Sequence, residues 1–297
     1  MNRYHFEIDP SPFVHYLGIA DKSPGHKVTT QPSFGLLDFS YGDENPSSKK
    51  PWERFVNHVK KLNSESPSNV AYKIVFLTRH GLGLHNVQEA KVGVEAWNLQ
   101  NHWSLLDGDG TVTWADAHLV PAGIEQAKTL GALWESAVTT ECVPLPQTLY
   151  CSPLARCLET CKLEFTPVFS ALLDAPSFKP KVRELLRERL WDHTCDRRSK
   201  RGWIEANYPG YEIEESLTEE DELWRQDSIE SLEDHAARKQ KAMGEIWEAD
   251  ANDVISLTIH SGAISAVLRV CGVQDFHVAE GSCIAVLIKG TKHELPN

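Results

Sequence analysis

The chain has 297 residues, 41% of them hydrophobic and 24% charged, a composition typical of a soluble globular protein with a sizeable core. A net charge of −12 disfavours general binding to nucleic acid or anionic lipid. No segment approaches the roughly 18 consecutive apolar residues of a membrane span, and the first residues lack the pattern of a secretory signal. The seven scattered cysteines form no CxxC pair, so we expect reduced thiols in a cytoplasmic or nuclear protein.

Residues 1–70 are rich in Pro, Ser, Gly and Asn, and only the segment from Trp52 to Leu62 has a convincing helical pattern. They predict an N-terminal elaboration that is packed on, or tethered to, a core of residues 71–297. In that core, the apolar run from Tyr72 to Thr78 predicts a strand. This strand stops abruptly at the basic tripeptide Arg79-His80-Gly81.

Strands and helices then alternate along the chain. The predicted helices cover residues 121–138, 153–162, 231–248 and 263–270, and the further predicted strands cover residues 148–151, 254–259 and 283–288. Such alternation predicts an α/β fold, a three-layer α/β/α sandwich with a mainly parallel central sheet.

Chemically capable residues follow three of these strands. They are Arg79-His80, Ser152-Pro153 with Arg156 just beyond, and His260-Ser261-Gly262. Ligands bind outside the carboxyl ends of the strands in parallel sheets, and the N-termini of the following helices favour anions. We therefore expect these residues to share one pocket for a small anion.

Phosphoryl transfer is the chemistry that this set of residues suits best. It needs an aligned nucleophile, which His80 can supply, and cationic donors for the phosphoryl oxygens, such as Arg79 and Arg156. The alternatives are a structural role for each histidine and a surface position for Arg156. No HExxH motif, Walker-type loop or aspartate cluster indicates a metal, so we expect neither metal nor cofactor.

The motifs RHGxxxxN, SPLxRxxET and HSG together resemble those of the histidine phosphatase, or phosphoglycerate mutase-like, superfamily, and in particular its fungal phosphomutase-like branch. The resemblance implies that His80 is the phosphorylated nucleophile. The residues that it assigns to phosphate binding are Arg79, Asn86, Arg156, His260 and Ser261. These motifs lie between residues 74 and 288, so the resemblance covers the whole regular part of the chain.

A glutamate is the proton donor that the resemblance implies, and the sequence offers two in the expected context. We prefer Glu188, because LLRE lies five residues before the HTCDRR stretch, as in the fungal branch, and keep Glu184 as the alternative. A carboxyl group beside an apolar wall and a phosphate dianion stays protonated and can serve a leaving alkoxide.

The resulting expectation is a phosphatase that hydrolyses a small phosphorylated metabolite. A phosphomutase with the same phosphohistidine, which must exclude water from it, and a non-catalytic phosphate-binding protein on the same fold are the alternatives. The basic stretch from Lys181 to Arg201 either suits a small anionic ligand or is a solvated helix face. Its part from Arg187 to Arg201 either helps to bind a second anionic group or is structural, with Asp196 tied to neighbouring arginines. Trp97, Trp103 and Trp114 either line a pocket or pack in a core.

Overall fold

The computed structural model describes residues 4–43, 45–100, 103–172 and 177–293, without the side chains of residues 99 and 100. The strands are β1 (Tyr4–Asp9), β2 (Lys27–Val28), β3 (Val70–Arg79), β4 (Thr148–Cys151), β5 (Lys181–Val182), β6 (Glu212–Ile213), β7 (Val254–Ile259), β8 (His277–Val278) and β9 (Cys283–Lys292). The α-helices are α1 (Tyr16–Ala20), α2 (Pro51–Glu65), α3 (Leu84–Val92), α4 (Pro121–Glu141), α5 (Ala155–Ala171), α6 (Arg201–Asn207), α7 (Leu232–Ala249) and α8 (Ser261–Val270).

Seven strands form the central sheet, in the order β1-β9-β3-β7-β4-β5-β6. Strands β3, β7, β4, β5 and β6 are parallel to one another, whereas β9 runs antiparallel to both of its neighbours, β3 and β1. The prediction of an α/β fold with a mainly parallel sheet is therefore confirmed. Strands β2 and β8 form a separate parallel pair.

Helices cover both faces of this sheet, as the contacts of two residues on β3 demonstrate. The ring of Phe76 lies 4.6 Å from that of Trp134 on α4, and the Lys73 ammonium lies 5.5 Å from the ring of Trp247 on α7. Because side chains of a strand alternate between faces, residues three apart point to opposite sides. The two contacts therefore place α4 and α7 on opposite faces, which gives the three layers.

The segment before residue 70 contributes directly to the main core. Its first strand, β1, pairs with β9 and forms one edge of the sheet. The Phe34 ring packs 4.4 Å from that of Trp134 and 5.3 Å from that of Phe76, and Trp52 is completely buried. Much of the predicted elaboration is thus packed on the core, although the boundary at residue 70 stays an interpretation of the composition.

The three tryptophans between residues 97 and 114 form a second, smaller core. Trp97 and Trp114 are buried with Ala117 and Cys195, and Trp103 packs against them. The rings of Trp97 and Trp114 meet edge to face at 5.7 Å. This packing supports the structural interpretation of these aromatic residues.

The cysteines form no disulfide in this structure. All seven are free thiols, and all except Cys142 are buried. Cys157 and Cys161 on α5 lie in the main core, as free cysteines usually do. Among the helices that the structure describes, none combines the length and the apolar character needed to cross a bilayer.

Candidate active site

The candidate site lies at the carboxyl ends of three adjacent strands. In the register of the sheet, Arg79 is opposite Ile259, and Cys151 is opposite Thr258. The residues that follow these strands therefore emerge at one edge. The His80 and His260 rings lie 5.1 Å apart, as the sequence analysis predicted.

His80 is held in one tautomer. Its Nδ1 lies 2.7 Å from the carbonyl oxygen of Gly81, and because that oxygen can only accept, Nδ1 carries the proton. The lone pair is then on Nε2, which accepts a hydrogen bond from Nε of Arg156 at 3.3 Å. Burial, with help from Arg156 and Arg79, holds the pKa of His80 well below its usual range. The imidazole is therefore neutral, with the lone pair of its Nε2 directed at a guanidinium.

Arg156 lies at the second position of α5 and is almost completely buried. Its Nη1 donates to the carbonyl oxygen of Cys195 at 2.7 Å, and its Nη2 donates to the Asp196 carboxylate at 3.1 Å. Burial alone lowers the pKa of this guanidinium, but the nearby acidic groups, Asp196 first, outweigh it and raise the pKa. Arg156 is thus a fixed, charged donor beside His80.

Arg79 approaches the same histidine from the end of β3. Its Nη1 donates to the carbonyl oxygen of Val278 at 2.9 Å, and its Nη2 pairs with Glu280 at 3.1 Å. Its Nε is buried and has no hydrogen-bond partner among the described residues. Glu280, which lies in none of the motifs, therefore orients the Arg79 guanidinium. The Nε–H of Arg79 stays available as a donor.

His260 is held by Ser152, the residue that follows β4. Its Nε2 lies 2.8 Å from Oγ of Ser152, and Sγ of Cys157 approaches the same nitrogen at 3.4 Å. Burial, followed by the charge of Arg156, holds the pKa of His260 well below its usual range. The ring is therefore a neutral hydrogen-bonding group in the site.

Glu188 reaches this centre from the loop after β5. Its carboxylate accepts from the backbone N–H of Gly262 at 2.9 Å and from its neighbour Arg189 at 2.8 Å. A Cβ on Gly262 would lie 2.3 Å from a carboxylate oxygen of Glu188. The glycine of the HSG motif is thus required for this close approach, which places Glu188 next to His260 at the start of α8.

Glu184 lies in a different environment. Its two carboxylate oxygens pair with Arg187 at 2.6 Å and with Arg198 at 2.8 Å. Arg187 also pairs with Asp221 at 2.7 Å. Both oxygens of Glu184 are thus engaged in ion pairs, which favours Glu188 over Glu184 as the candidate proton donor.

Most cations of the basic stretch are neutralised in the same way, several by the acidic segment Glu212–Glu222. The pairs are Arg183–Glu214, Arg187–Asp221, Arg197–Asp107, Arg198–Glu184, Lys200–Glu220 and Arg201–Glu205. Asp196 is tied to Arg156 through its carboxylate, and its carbonyl oxygen accepts from Arg187. The structural interpretation of this stretch is therefore the better supported one.

Two predicted phosphate contacts have partners of their own. The side-chain oxygen of Asn86 accepts from the backbone N–H of Gly83 at 3.1 Å, which fixes the amide at the start of α3. Oγ of Ser261 lies 3.2 Å from Nδ1 of His277. The contacts of Asn86 and Ser261 with phosphate stay predictions.

His85 is a further histidine of the site that the sequence analysis did not single out. Its ring lies 5.8 Å from the His80 ring, and its Nδ1 is buried without a hydrogen-bond partner in the described part of the chain. It occupies a variable position of the RHGxxxxN pattern, so the motif gives no signal for it. The sequence signal that remains is a second histidine within the motif, directly before Asn86 and at the second position of α3.

One group of potential metal ligands occurs within the described residues. His193, Cys195 and Asp196 place one ligand atom each within 4.8 Å of one another. The Arg156 guanidinium already supplies positive charge to Asp196, and burial raises the pKa of the Cys195 thiol well above its usual range. Both features disfavour a cation at this position.

A family match is consistent with this geometry. Residues 75–287 match the histidine phosphatase superfamily (branch 1), and the chain belongs to that superfamily. It is 45% identical over 260 residues to "Probable phosphoglycerate mutase" of Arthroderma benhamiae, an alignment that covers 86% of this chain and 76% of that protein. It is 31% identical over 266 residues to "Probable phosphoglycerate mutase PMU1" of Saccharomyces cerevisiae, covering 82% and 89%. The predicted superfamily and its fungal phosphomutase-like branch are confirmed.

A solved structure that this chain resembles is the ecdysone phosphate phosphatase from Bombix mori in complex with tungstate. It is 18% identical to this chain, with a TM-score of 0.42, and the match covers 67% of this chain and 76% of that one. The superfamily includes both phosphatases and mutases.

Proposed function

We propose that this protein is a metal-independent phosphatase that hydrolyses a small phosphate monoester through a phosphohistidine at His80. The observation that carries the proposal is the state of His80. Its Nδ1 proton is committed to the Gly81 carbonyl, and its Nε2 lone pair faces Nε of Arg156 at 3.3 Å. A neutral, oriented imidazole beside a fixed guanidinium suits attack on a bound phosphoryl group.

In the first step, Nε2 of His80 attacks phosphorus, the Nε2–P bond forms and the ester P–O bond breaks. Arg79 and Arg156 supply the positive charge for the phosphoryl oxygens, which is why we propose that the reaction needs no metal. His260 donates a hydrogen bond to one of these oxygens. The leaving oxygen takes a proton from Glu188.

In the second step, a water molecule attacks the phosphohistidine. The Glu188 carboxylate accepts a proton from that water, the Nε2–P bond breaks and inorganic phosphate is released. The bonds from Gly262 and Arg189 hold the Glu188 carboxylate beside His260, which supports its role as the base of this second step.

A phosphomutase is the second candidate, because the two curated fungal relatives named above are called probable phosphoglycerate mutases. Such an enzyme must protect its phosphohistidine from water. In the described part of the site, Glu188 and His85 are both partly exposed, which supports access of water to His80 and therefore hydrolysis.

The test is phosphate release from a panel of phosphorylated metabolites in the presence of EDTA, with wild type and His80→Ala side by side. We expect hydrolysis by wild type and a loss of at least about a thousandfold in the variant, with an unchanged thermal unfolding temperature. His58→Ala, a histidine that packs on Tyr41 at 5.6 Å, is the control for loss of an imidazole elsewhere.

The outcomes separate the candidates. Activity of His80→Ala equal to that of wild type would contradict the proposed nucleophile. Isomerisation of phosphoglycerate without phosphate release would favour the mutase. Silence toward every ester, with no phosphate label on His80, would point to a phosphate-binding protein without catalysis.

A further inference from the structure

His85 lies close to the phosphate-binding centre and has a defined orientation. It is the second residue of α3, in the segment LGLHN that follows the nucleophile. A Cβ on Gly83 would lie 2.7 Å from both Nδ1 and Cε1 of His85. The imidazole therefore folds back over Gly83 toward the start of the helix, where any side chain at position 83 would exclude it.

The Nδ1 atom of His85 is buried, and none of the described residues hydrogen-bonds it. A buried polar atom without a partner is unfavourable, so such atoms in native proteins call for a specific explanation. Burial, followed by the charges of Arg156, His80 and Arg79, holds the pKa of His85 well below its usual range. A neutral imidazole offers one donor and one acceptor, which suits an uncharged polar group of a ligand.

The position of His85 indicates which part of a substrate it meets. His80 and His260 are buried to 3% and 0% exposure, whereas His85 keeps partial contact with solvent. His85 thus lies beside His80 and is less buried than it, and the alcohol of an ester bound at the buried centre must extend toward solvent. His193 is close enough to contribute to the lowered pKa of His85. The ring of His193 stacks on that of Trp191 at 5.2 Å.

We propose that His85 hydrogen-bonds a hydroxyl group of the substrate's leaving alcohol, so that the enzyme selects phosphate esters of polyols or sugars over esters of simple alcohols. The inference rests on the proposed phosphatase function and adds the substrate class. A hydroxyl both donates and accepts, which matches the neutral imidazole. His85 then belongs to the part of the site that reads the alcohol, and Arg79, Arg156 and His260 to the part that holds the phosphoryl group.

The experiment compares two esters that differ only in hydroxyl groups, glycerol 1-phosphate and propyl phosphate. The quantity is the ratio of their kcat/KM values for wild type, His85→Phe and His85→Gln. We expect wild type to favour the glycerol ester by about tenfold, the worth of one neutral hydrogen bond. In His85→Phe, which keeps a ring and loses both nitrogens, the ratio falls toward one. His85→Gln, whose amide both donates and accepts, recovers part of the preference.

Two controls separate hydroxyl recognition from a packing effect. His58→Phe makes the same exchange on α2 and is expected to keep the wild-type ratio. Inhibition by inorganic phosphate, which has no alcohol, is expected to change less than twofold in His85→Phe. Equal losses on both esters, or an equal loss of phosphate inhibition, would overturn the inference and assign His85 to the phosphoryl group or to packing.

Failure of this inference differs from failure of the proposed function. Wild type that hydrolyses both esters without preference would overturn hydroxyl recognition and leave the phosphatase intact. Wild type that hydrolyses neither these esters nor any member of the metabolite panel would contradict the phosphatase itself, and with it this inference. If His85→Phe unfolds at a lower temperature than wild type, His85→Gln decides the question. It must still recover part of the preference for glycerol 1-phosphate over propyl phosphate.

Discussion

Four of the buried arginines form two groups, and the surroundings of the two groups differ. Arg79 and Arg156 adjoin the His80 imidazole and contribute to lowering its pKa. Arg187 and Arg198 are buried to a similar degree, but they lie in a network of carboxylates and carbonyl oxygens. The guanidinium groups of Arg79 and Arg156 thus face a neutral imidazole. Those of Arg187 and Arg198 are neutralised by carboxylates within the fold.

The comparison indicates what distinguishes an arginine that can bind an anion from a structural one. A carboxylate partner does not by itself mark an arginine as structural, because Arg156 pairs with Asp196 and Arg79 pairs with Glu280. The two groups differ in what else lies beside each guanidinium, apart from its carboxylate partner. A neutral imidazole beside a guanidinium leaves room for a phosphate, whereas two acids around Arg187 leave none.

The first prediction exchanges arginine for lysine in each group. Arg156→Lys removes the planar fork that bonds His80, Cys195 and Asp196 together, so we expect kcat/KM to fall by about 10²- to 10³-fold. Arg198→Lys is expected to retain activity within about threefold and to lose about 3 kcal/mol of stability as its buried pair with Glu184 is disrupted. Steady-state kinetics and urea unfolding of both variants measure the contrast. Equal activity losses would show that the two groups are not functionally distinct.

The second prediction makes the same comparison for the two glutamates. Glu188→Gln cannot donate a proton, so we expect kcat for alkyl phosphates to fall by about a hundredfold. The loss on an aryl phosphate is smaller, because its acidic leaving group departs without protonation. Glu184→Gln is expected to keep the alkyl-to-aryl ratio of wild type and to unfold at a lower temperature. A change of that ratio in Glu184→Gln, with none in Glu188→Gln, would reverse the assignment.

The parts of the site that follow strands could be predicted from the sequence. The apolar run that ends at Arg79 is β-favouring, and the run Val254–Ile259 coincides with the predicted strand. Parallel strands bring their carboxyl ends to one edge, so the convergence of His80 and His260 follows from the order of elements. Local chemistry and topology were sufficient there.

Contacts between distant parts of the chain could not be predicted in this way. Strand β1 (Tyr4–Asp9) has a mixed composition, and it becomes a strand because β9, more than 270 residues later, offers an edge. Arg187 and Asp221 are 34 residues apart, and only the fold pairs them. His85 was missed for another reason, since its significance lies in an unpartnered nitrogen rather than in a motif.

A third carboxyl group, Glu164 on α5, contrasts with Glu184 because it is buried without a cation. Its Oε1 accepts from Oγ1 of Thr78 at 3.0 Å and from Nε1 of Trp134 at 2.8 Å. Its Oε2 has no hydrogen-bond partner among the described residues. Burial raises the pKa of Glu164 to about 8, although both hydrogen bonds oppose the shift. The folded protein therefore holds this carboxyl group in its protonated form at neutral pH.

The last prediction concerns the pH dependence that follows from Glu164. The carboxyl group ionises near its ordinary pKa of 4.5 when the chain is unfolded and near 8 when it is folded. Between these values the folded state binds one more proton, so its contribution to stability, complete below pH 4.5, is lost as the pH rises toward 8. Glu164→Gln stays neutral throughout and keeps an oxygen acceptor for Thr78 and Trp134. We expect its stability advantage over wild type to grow by about 1.4 kcal/mol per pH unit in this window and to level off above it.

Urea unfolding at pH 5, 6.5 and 8 measures that advantage, and the exposed Glu135 on α4 provides the matched control. Glu135→Gln is expected to stay within about 0.5 kcal/mol of wild type at each pH. Identical pH dependence in wild type and Glu164→Gln would mean that water or a rearrangement satisfies the buried carboxylate. The same substitution thus destabilises the protein at Glu184, where it removes ion pairs, and stabilises it at Glu164, where folding of wild type requires a carboxyl group that is ionised in the unfolded chain to take up a proton.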